Sequence, residues 1–293
     1  MENKIHQLLC ELGISEPDAA EKFFPYTRDK KDIAVMRCKK SGVIFLSQSS
    51  HIEQEHYLQK DDLSFWGVSS REEANKDSSI AEDDKRRAAQ FADIIRNKTW
   101  LDVGTGPGGV LDLLRATAGK CAAVEPQKGM RNELIKSGYT VYSDIEEADE
   151  EFDVVTLFHV FEHLTEPLDV LKKIKVRMKP GGKLIIEVPH GNDFLLSFKD
   201  LDSFKAFTFR SDHLILHTRE SLRSFLQQAA FNNVSIMGFQ RYPLANHLYW
   251  LANHKPGGHL AWSHLKTPAL DSAYGDMLAR LDKTDTLIAV AEK

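Results

Sequence analysis

Between residues 80 and 190 the chain alternates short apolar runs with segments whose apolar residues recur every three or four positions. The runs at 100–103, 122–124, 139–142, Phe152–Phe158 and 183–188 read as strands. The segments 80–96, 110–118, 130–137 and 168–178 read as amphipathic helices, the last ending before the breaker Pro180-Gly181-Gly182. Alternation at this spacing implies parallel strands joined by right-handed crossovers. Upstream, 33–38 and 43–46 read as a hairpin around a Lys-Ser-Gly turn. Residues 51–70, with spaced aromatics Tyr57, Phe65 and Trp66, read as helix plus loop; the charged, Ser-rich stretch 70–85 reads as a linker. Downstream come a polar and aromatic insert, a helix over 218–230 started by Thr218, a strand at 234–239, a helix at 269–281 and a last strand at 286–291. That last strand is expected to extend a sheet edge. The pattern divides the chain into an N-terminal module (1–75), an α/β core (76–242), and a C-terminal cap insertion that ends in a further core strand (243–293).

The formal net charge of −5 and the lack of a basic run argue against a protein that works on a phosphate backbone, so no nucleic acid is expected. No apolar run reaches the roughly 20 residues that span a bilayer, and the first residues lack the apolar core of a signal peptide. No membrane partner is therefore expected. Three cysteines, Cys10, Cys38 and Cys121, stand at no paired spacing. This fits a reducing, cytoplasmic setting and argues against a four-ligand zinc site.

The most informative stretch is Leu101-Asp102-Val103-Gly104-Thr105-Gly106-Pro107-Gly108-Gly109, an apolar strand feeding a glycine turn and a helix. Glycine permits positive φ and close backbone approach to a ligand, and a helix start offers unpaired N–H groups. Gly104, Gly106 and Gly109 satisfy the dinucleotide spacing Gly-x-Gly-x-x-Gly. Glu125 follows one strand–helix unit later, where an acid can accept the hydroxyls of an adenosine ribose. These features suit several nucleotide cofactors alike, and a tight turn with no ligand is the bland alternative.

The stretch Leu101 to Gly109 resembles motif I of the class I S-adenosylmethionine-dependent methyltransferases. Glu125 matches that family's ribose-binding acid. Phe152-Asp153-Val154-Val155-Thr156-Leu157-Phe158-His159-Val160-Phe161-Glu162-His163-Leu164 resembles its fourth strand and following loop, and the segment from Lys179 to Pro189 its fifth strand. The resemblance implies a Rossmann-like α/β fold with a mostly parallel seven-stranded sheet and helices on both faces. It implies S-adenosylmethionine as cofactor. Gly104, Thr105, Gly106 and Gly108 would line the methionine part, with Asp102 near its amino group. Asp144 and Ile145 would meet the adenine, and Phe158 and His159 would face the methionine portion.

The segment from Arg37 to Leu46 is similar to part of a small zinc module that precedes the domain in a subgroup acting on small molecules, often sugars. Here Ser41 replaces a ligand cysteine and no upstream pair exists. A hydroxyl is a poor zinc ligand beside thiolate, so the hairpin is expected to persist without metal.

Methyl transfer is an in-line displacement that needs alignment and, for a protonated nucleophile, a base. Histidine suits that role near neutral pH. His163, four residues after His159, and His213, ahead of the helix start at Thr218, are the candidates. Either can instead be a capping or loop-fixing group. His190 also follows a strand end, and His217 reads as structural. Residues 241–264 carry aromatics and histidines that suit either a sugar site or a packed cap helix, and no metal spacing stands out there. The expected activity is methyl transfer to a small-molecule acceptor, such as a sugar or glycan intermediate. The competing readings are a methyltransferase for RNA or protein, a nicotinamide-dependent oxidoreductase, and a binding module that kept only the fold.

Overall fold

The structure, a computed structural model, describes residues 3–52, 63, 68, 70–75 and 78–293. Tyr57, Phe65 and Trp66 lie outside the described residues. The core is a seven-stranded sheet built from β4 (Thr99–Val103), β5 (Lys120–Val124), β6 (Thr140–Tyr142), β7 (Phe152–Phe158), β8 (Met178–Pro189), β10 (Asn232–Phe239) and β11 (Thr286–Glu292). Their order is β10-β11-β8-β7-β4-β5-β6. Strands β4 to β8 pair in parallel, whereas β11 runs antiparallel to both its neighbours. The parallel strands expected from the alternation, and the Rossmann-like, mostly parallel sheet that the family resemblance implies, are thus present.

The last strand does not extend the sheet edge. It lies inside, between β8 and β10. Its side chains are buried almost without interruption, and a strand covered on both faces is best satisfied with a neighbour on each side. An antiparallel strand at that place also departs from the all-parallel order of a dinucleotide-binding sheet, which removes support for the oxidoreductase reading. Pro180-Gly181-Gly182 does not separate helix from strand either. It falls within β8, where the register jumps from Phe152↔Met178 to Val154↔Lys183, a bulge that Gly181 permits with φ +73°.

Period-two alternation sorts the sheet residues onto two faces. Leu101, Val103, Val155, Leu157, Leu184 and Ile186 join the core under helices Pro167–Val176 and Arg219–Gln228. Trp100, Val154, Ile185 and Ile288 face helices Ser78–Ile95, Gly109–Leu114 and Lys128–Lys136. The charged run from 70 onward is therefore no linker. It forms helix Arg71–Ala74 and the start of Ser78–Ile95, with Arg86 and Arg87 set toward a buried carboxylate, Glu187.

The N-terminal segment forms a second, antiparallel sheet. Its strands β1 (Ala20–Phe24), β2 (Val35–Cys38) and β3 (Ile44–Leu46) are completed by β9 (Ile215–Leu216), with Ile44↔Leu216 and Phe45↔Ile215. The expected hairpin is β2–β3. Cys38 is buried, its thiol pointing to the Ile14 carbonyl at 3.7 Å.

Candidate active site

The glycine turn follows β4. Gly104, Gly106 and Gly108 all take positive φ, at 70°, 53° and 74°. A Cβ on Gly104 would come 2.5 Å from Val160 Cγ2, and one on Gly109 would come 2.1 Å from the Asp84 carboxylate, so the backbone approaches its neighbours as only glycine can. Glu125 pins the turn from the end of β5, accepting from the Gly106 N–H at 2.9 Å and the Gln127 N–H at 2.8 Å. Burial pushes its carboxyl up to about 7 despite these two bonds. Arg71 grips the turn from the other side, donating to Pro107 O at 2.6 Å and pairing with Asp112 at 2.5 Å. Asp102, on the face of β4 turned toward helix Ser78–Ile95, accepts from Thr156 Oγ1 at 2.6 Å and is pushed up to about 6 by burial.

The loop after β7 turns on His159, whose φ of 55° is rare for a residue with a side chain. Its Nδ1 donates to Glu162 Oε1 at 3.0 Å, and its Nε2 lies 3.1 Å from Arg241 Nη1 and 3.3 Å from Glu187 Oε1. Burial works against the charged imidazole, but Glu162 and Glu187 outweigh it and raise its pKa. Glu187 is bound by Arg86 and Arg87, each at 2.8 Å. Burial would raise its pKa, yet His159 and Arg87 hold it well below the usual carboxylate range. Arg241 ties the cap to this group through Asp83 at 2.9 Å.

Further along, His163 Nδ1 donates to the Asp212 carbonyl at 2.7 Å and its ring meets His213 edge-on, centroids 4.9 Å apart. Burial, helped by the neighbouring His163, lowers His213 to about 4. Glu162 is fully buried; burial opposes its charge, but His159 holds it down at about 2. His217 stacks on Phe161 and contacts Ser221 Oγ at 3.2 Å, a packing role.

One cavity of about 830 Å³ joins these parts. Gly104, Gly106, Glu125, His159, His163 and His213 all line it. Thr105, Gly108, Asp102, Asp144, Ile145 and Phe158 do not. Thr105 and Gly108 shape the turn, the Thr105 N–H donating to Val124 O at 3.3 Å. Asp144 caps the short helix Ile145–Glu147, accepting from the Glu146 N–H at 2.9 Å, and Ile145 is buried in the core. Phe158 falls on the same sheet face as Asp102 and stacks on Phe91 at 5.5 Å, because both stand an even number of residues along their strands from Trp100 and Val154.

Several lining residues carried no sequence signal. His190 lines the pocket as its place after a strand end implies, whereas Asp193, Asp285 and Arg28 line it with no motif around them to mark them. Burial, reinforced by Asp285, pushes Asp193 up to about 8. Within the cap, His247 hydrogen-bonds Tyr274 at 2.7 Å and helix Leu244–Asn253 presents Trp250 to the cavity. The run Asp83, Arg86, Arg87 does have a signal, since its spacing of three and four is that of one helix face.

A parallel sheet with a glycine turn, a ribose-type acid one strand on, and a cavity at the strand ends defines an enzyme of the nucleotide-cofactor α/β class. The methyltransferase-domain family model matches residues 75–236, and the chain belongs to the class I S-adenosylmethionine-dependent methyltransferases. Among curated relatives, the ubiquinone biosynthesis O-methyltransferase of Haemophilus ducreyi is 27% identical over 185 residues, covering 53% of this chain and 74% of that protein. The protein of the same name from Pseudomonas paraeruginosa is 28% identical over 176 residues, 54% of this chain and 75% of that one. Among solved structures, Haemonchus contortus phosphoethanolamine N-methyltransferase 2, in complex with phosphomonomethylethanolamine and S-adenosylhomocysteine, superposes with a TM-score of 0.51. It shares 15% identity, over 85% of this chain and 63% of that one. A chain from the complex of the Haloferax volcanii Trm112 methyltransferase activator with a methyltransferase gives 0.51 at 17% identity, over 80% and 98%. Both likenesses are of fold.

Proposed function

We propose that the protein transfers the methyl group of S-adenosylmethionine to a hydroxyl oxygen of a small ring-shaped acceptor, a sugar or a related hydroxylated compound. The observation that carries this reading is the single cavity running from Glu125 and the glycine turn to His163 and His213. Its size is that of a small-molecule site. Phe207, Tyr242 and Trp250 on its wall suit the face of a ring, and Asp193, Asp285 and Asn246 offer partners for hydroxyls. The names of the relatives, O-methyltransferases, favour oxygen as the atom methylated.

When bound, the cofactor supplies an electrophilic methyl on a sulfonium that departs as a neutral thioether. Glu125 fits the ribose: a buried carboxylate on the cavity wall that two backbone N–H groups hold in place. Gly104 and Gly106 let the backbone come close to the methionine part, with Thr105, Gly108 and Asp102 shaping the turn from behind; Asp144 and Ile145 support this end from outside the cavity wall. His159, gripped by Glu162 and Arg241, sets the floor between the two ends, and Phe158 fixes the strand beneath it. His163 and His213 receive the acceptor hydroxyl. The free thiols Cys10, Cys38 and Cys121 agree with a cytoplasmic setting, and no helix among the described residues is long and apolar enough to cross a membrane.

The test is incubation of the full chain with S-adenosylmethionine and separate panels of sugars, phenols, amines, RNA and protein, read by mass spectrometry. A hydroxylated small molecule should gain one methylene on oxygen. Transfer confined to amines, RNA or protein would sink the proposal.

A further inference from the structure

Glu162, His163 and His213 meet where the loop after β7 faces the loop ahead of β9. One ligand atom from each lies within 4.8 Å of the other two. Glu162 is 0% exposed, and its Oε2 has no hydrogen-bond partner. Leaving a buried carboxylate oxygen unmatched is costly, so a partner absent from the chain itself is called for.

The surroundings hold these side chains as ligands are held. His163 spends its Nδ1–H on the Asp212 carbonyl at 2.7 Å, which leaves Nε2 turned toward Glu162 at 4.0 Å. That oxygen, Oε1, also takes the Nδ1–H of His159 at 3.0 Å, which leaves Oε2 as the unpartnered atom. Metal-bound imidazoles and carboxylates are fixed by such outer hydrogen bonds. Tetrahedral nitrogen and oxygen ligands at about 2.0–2.1 Å from zinc stand about 3.4 Å apart, so side-chain movements of about 1 Å would close the set.

We propose that Glu162, His163 and His213 form a binding site for a divalent transition-metal ion of the zinc class, with a position left open toward the cavity. Two imidazoles and one carboxylate are a ligand set of open, water- or substrate-binding sites. His163 and His213 both line the cavity, so the open position faces the space assigned to the acceptor. An acceptor hydroxyl bound there would be oriented and made more acidic by the ion. That use of the ion rests on the proposed hydroxyl acceptor; the binding of the ion does not.

The full chain, stripped with chelator and desalted, is to be titrated with cobalt(II) alone while its visible d–d absorption is followed. Calorimetry with S-adenosylhomocysteine checks that each variant is folded. Wild type should take up one equivalent with the absorption of low-coordinate cobalt. Glu162→Gln and His213→Ala should each weaken uptake by more than about tenfold, the scale at which even outer-sphere changes act. Uptake of less than one equivalent by wild type overturns the site, as does wild-type affinity in both variants, which would mark adventitious binding. If Glu162→Gln does not fold, His213→Ala decides alone. Cobalt bound without methylation of any hydroxyl leaves the site standing and removes the acceptor reading. Methylation by a chain that takes up no cobalt does the reverse.

Discussion

Glu125 sits where water is scarce, and its position sets a cost. The carboxyl has an ordinary value of 4.5 and rises to about 7 in the fold, burial being the main cause. Below pH 4.5 it is protonated in both folded and unfolded chains. As pH rises toward 7 the unfolded chain ionises first, so the folded state loses stability through that window and no more beyond it. The loss is on the order of 3 kcal/mol. Glu125→Gln keeps the size and an acceptor oxygen but cannot ionise. Its melting temperature, measured without cofactor, should match wild type near pH 4 and exceed it at pH 8. The same variant should bind S-adenosylmethionine at least about tenfold more weakly, the worth of hydrogen bonds to a charged group. Parallel melting curves at both pH values would show that this carboxyl is not the buried acid described.

At the scale of elements, helix Arg219–Gln228 shows how a cap fixes a site. Thr218 accepts from the Ser221 N–H, and Ser221 Oγ accepts from the Thr218 N–H in return. This box fixes the chain where it leaves β9 (Ile215–Leu216), the strand that follows His213. Thr218→Ala should cost about 1 kcal/mol and lower the melting temperature by roughly 2 °C. An unchanged melting curve would assign the helix start to packing alone. Thr218 could be read in the sequence because capping is local. So could β7, a continuous apolar run, and the glycine turn. Other parts were not legible, for reasons of the same kind. Ile215 and Leu216 are a strand only because Ile44 and Phe45 pair with them. The charges of 83–87 share a helix face in the sequence, but that they face a buried carboxylate and not water shows only with Glu187, about 100 residues on. The place of β11 depends on which strands border it, and hydropathy alone does not tell an inner strand from an edge. At the site, the glycine turn and Glu125 come from one strand–turn–helix unit and the end of the strand that follows it. The rest of the cavity is assembled from five distant segments around Arg28, His163, Asp193, His213 and Trp250.

For the molecule as a whole, one apolar core runs from Ile5 and Phe45 of the N-terminal segment to Val155 and Leu226 beneath the main sheet. Deleting residues 1–46 would bare that face and leave β9 without its partner. The truncated chain should bind a hydrophobic dye and melt below wild type, whereas wild type should show coincident transitions by fluorescence and near-ultraviolet circular dichroism. Two separate wild-type transitions would mean that the segment folds by itself. The pairing of β3 with β9 has a further consequence. Arg28, stacked over Phe207 at 4.6 Å, reaches the cavity from the same segment. Through Arg28 the N-terminal segment thus reaches the cavity wall beside Phe207, while the glycine turn and Glu125 lie elsewhere in sequence. A change at Arg28 can therefore alter that part of the wall and leave the glycine turn and Glu125 untouched.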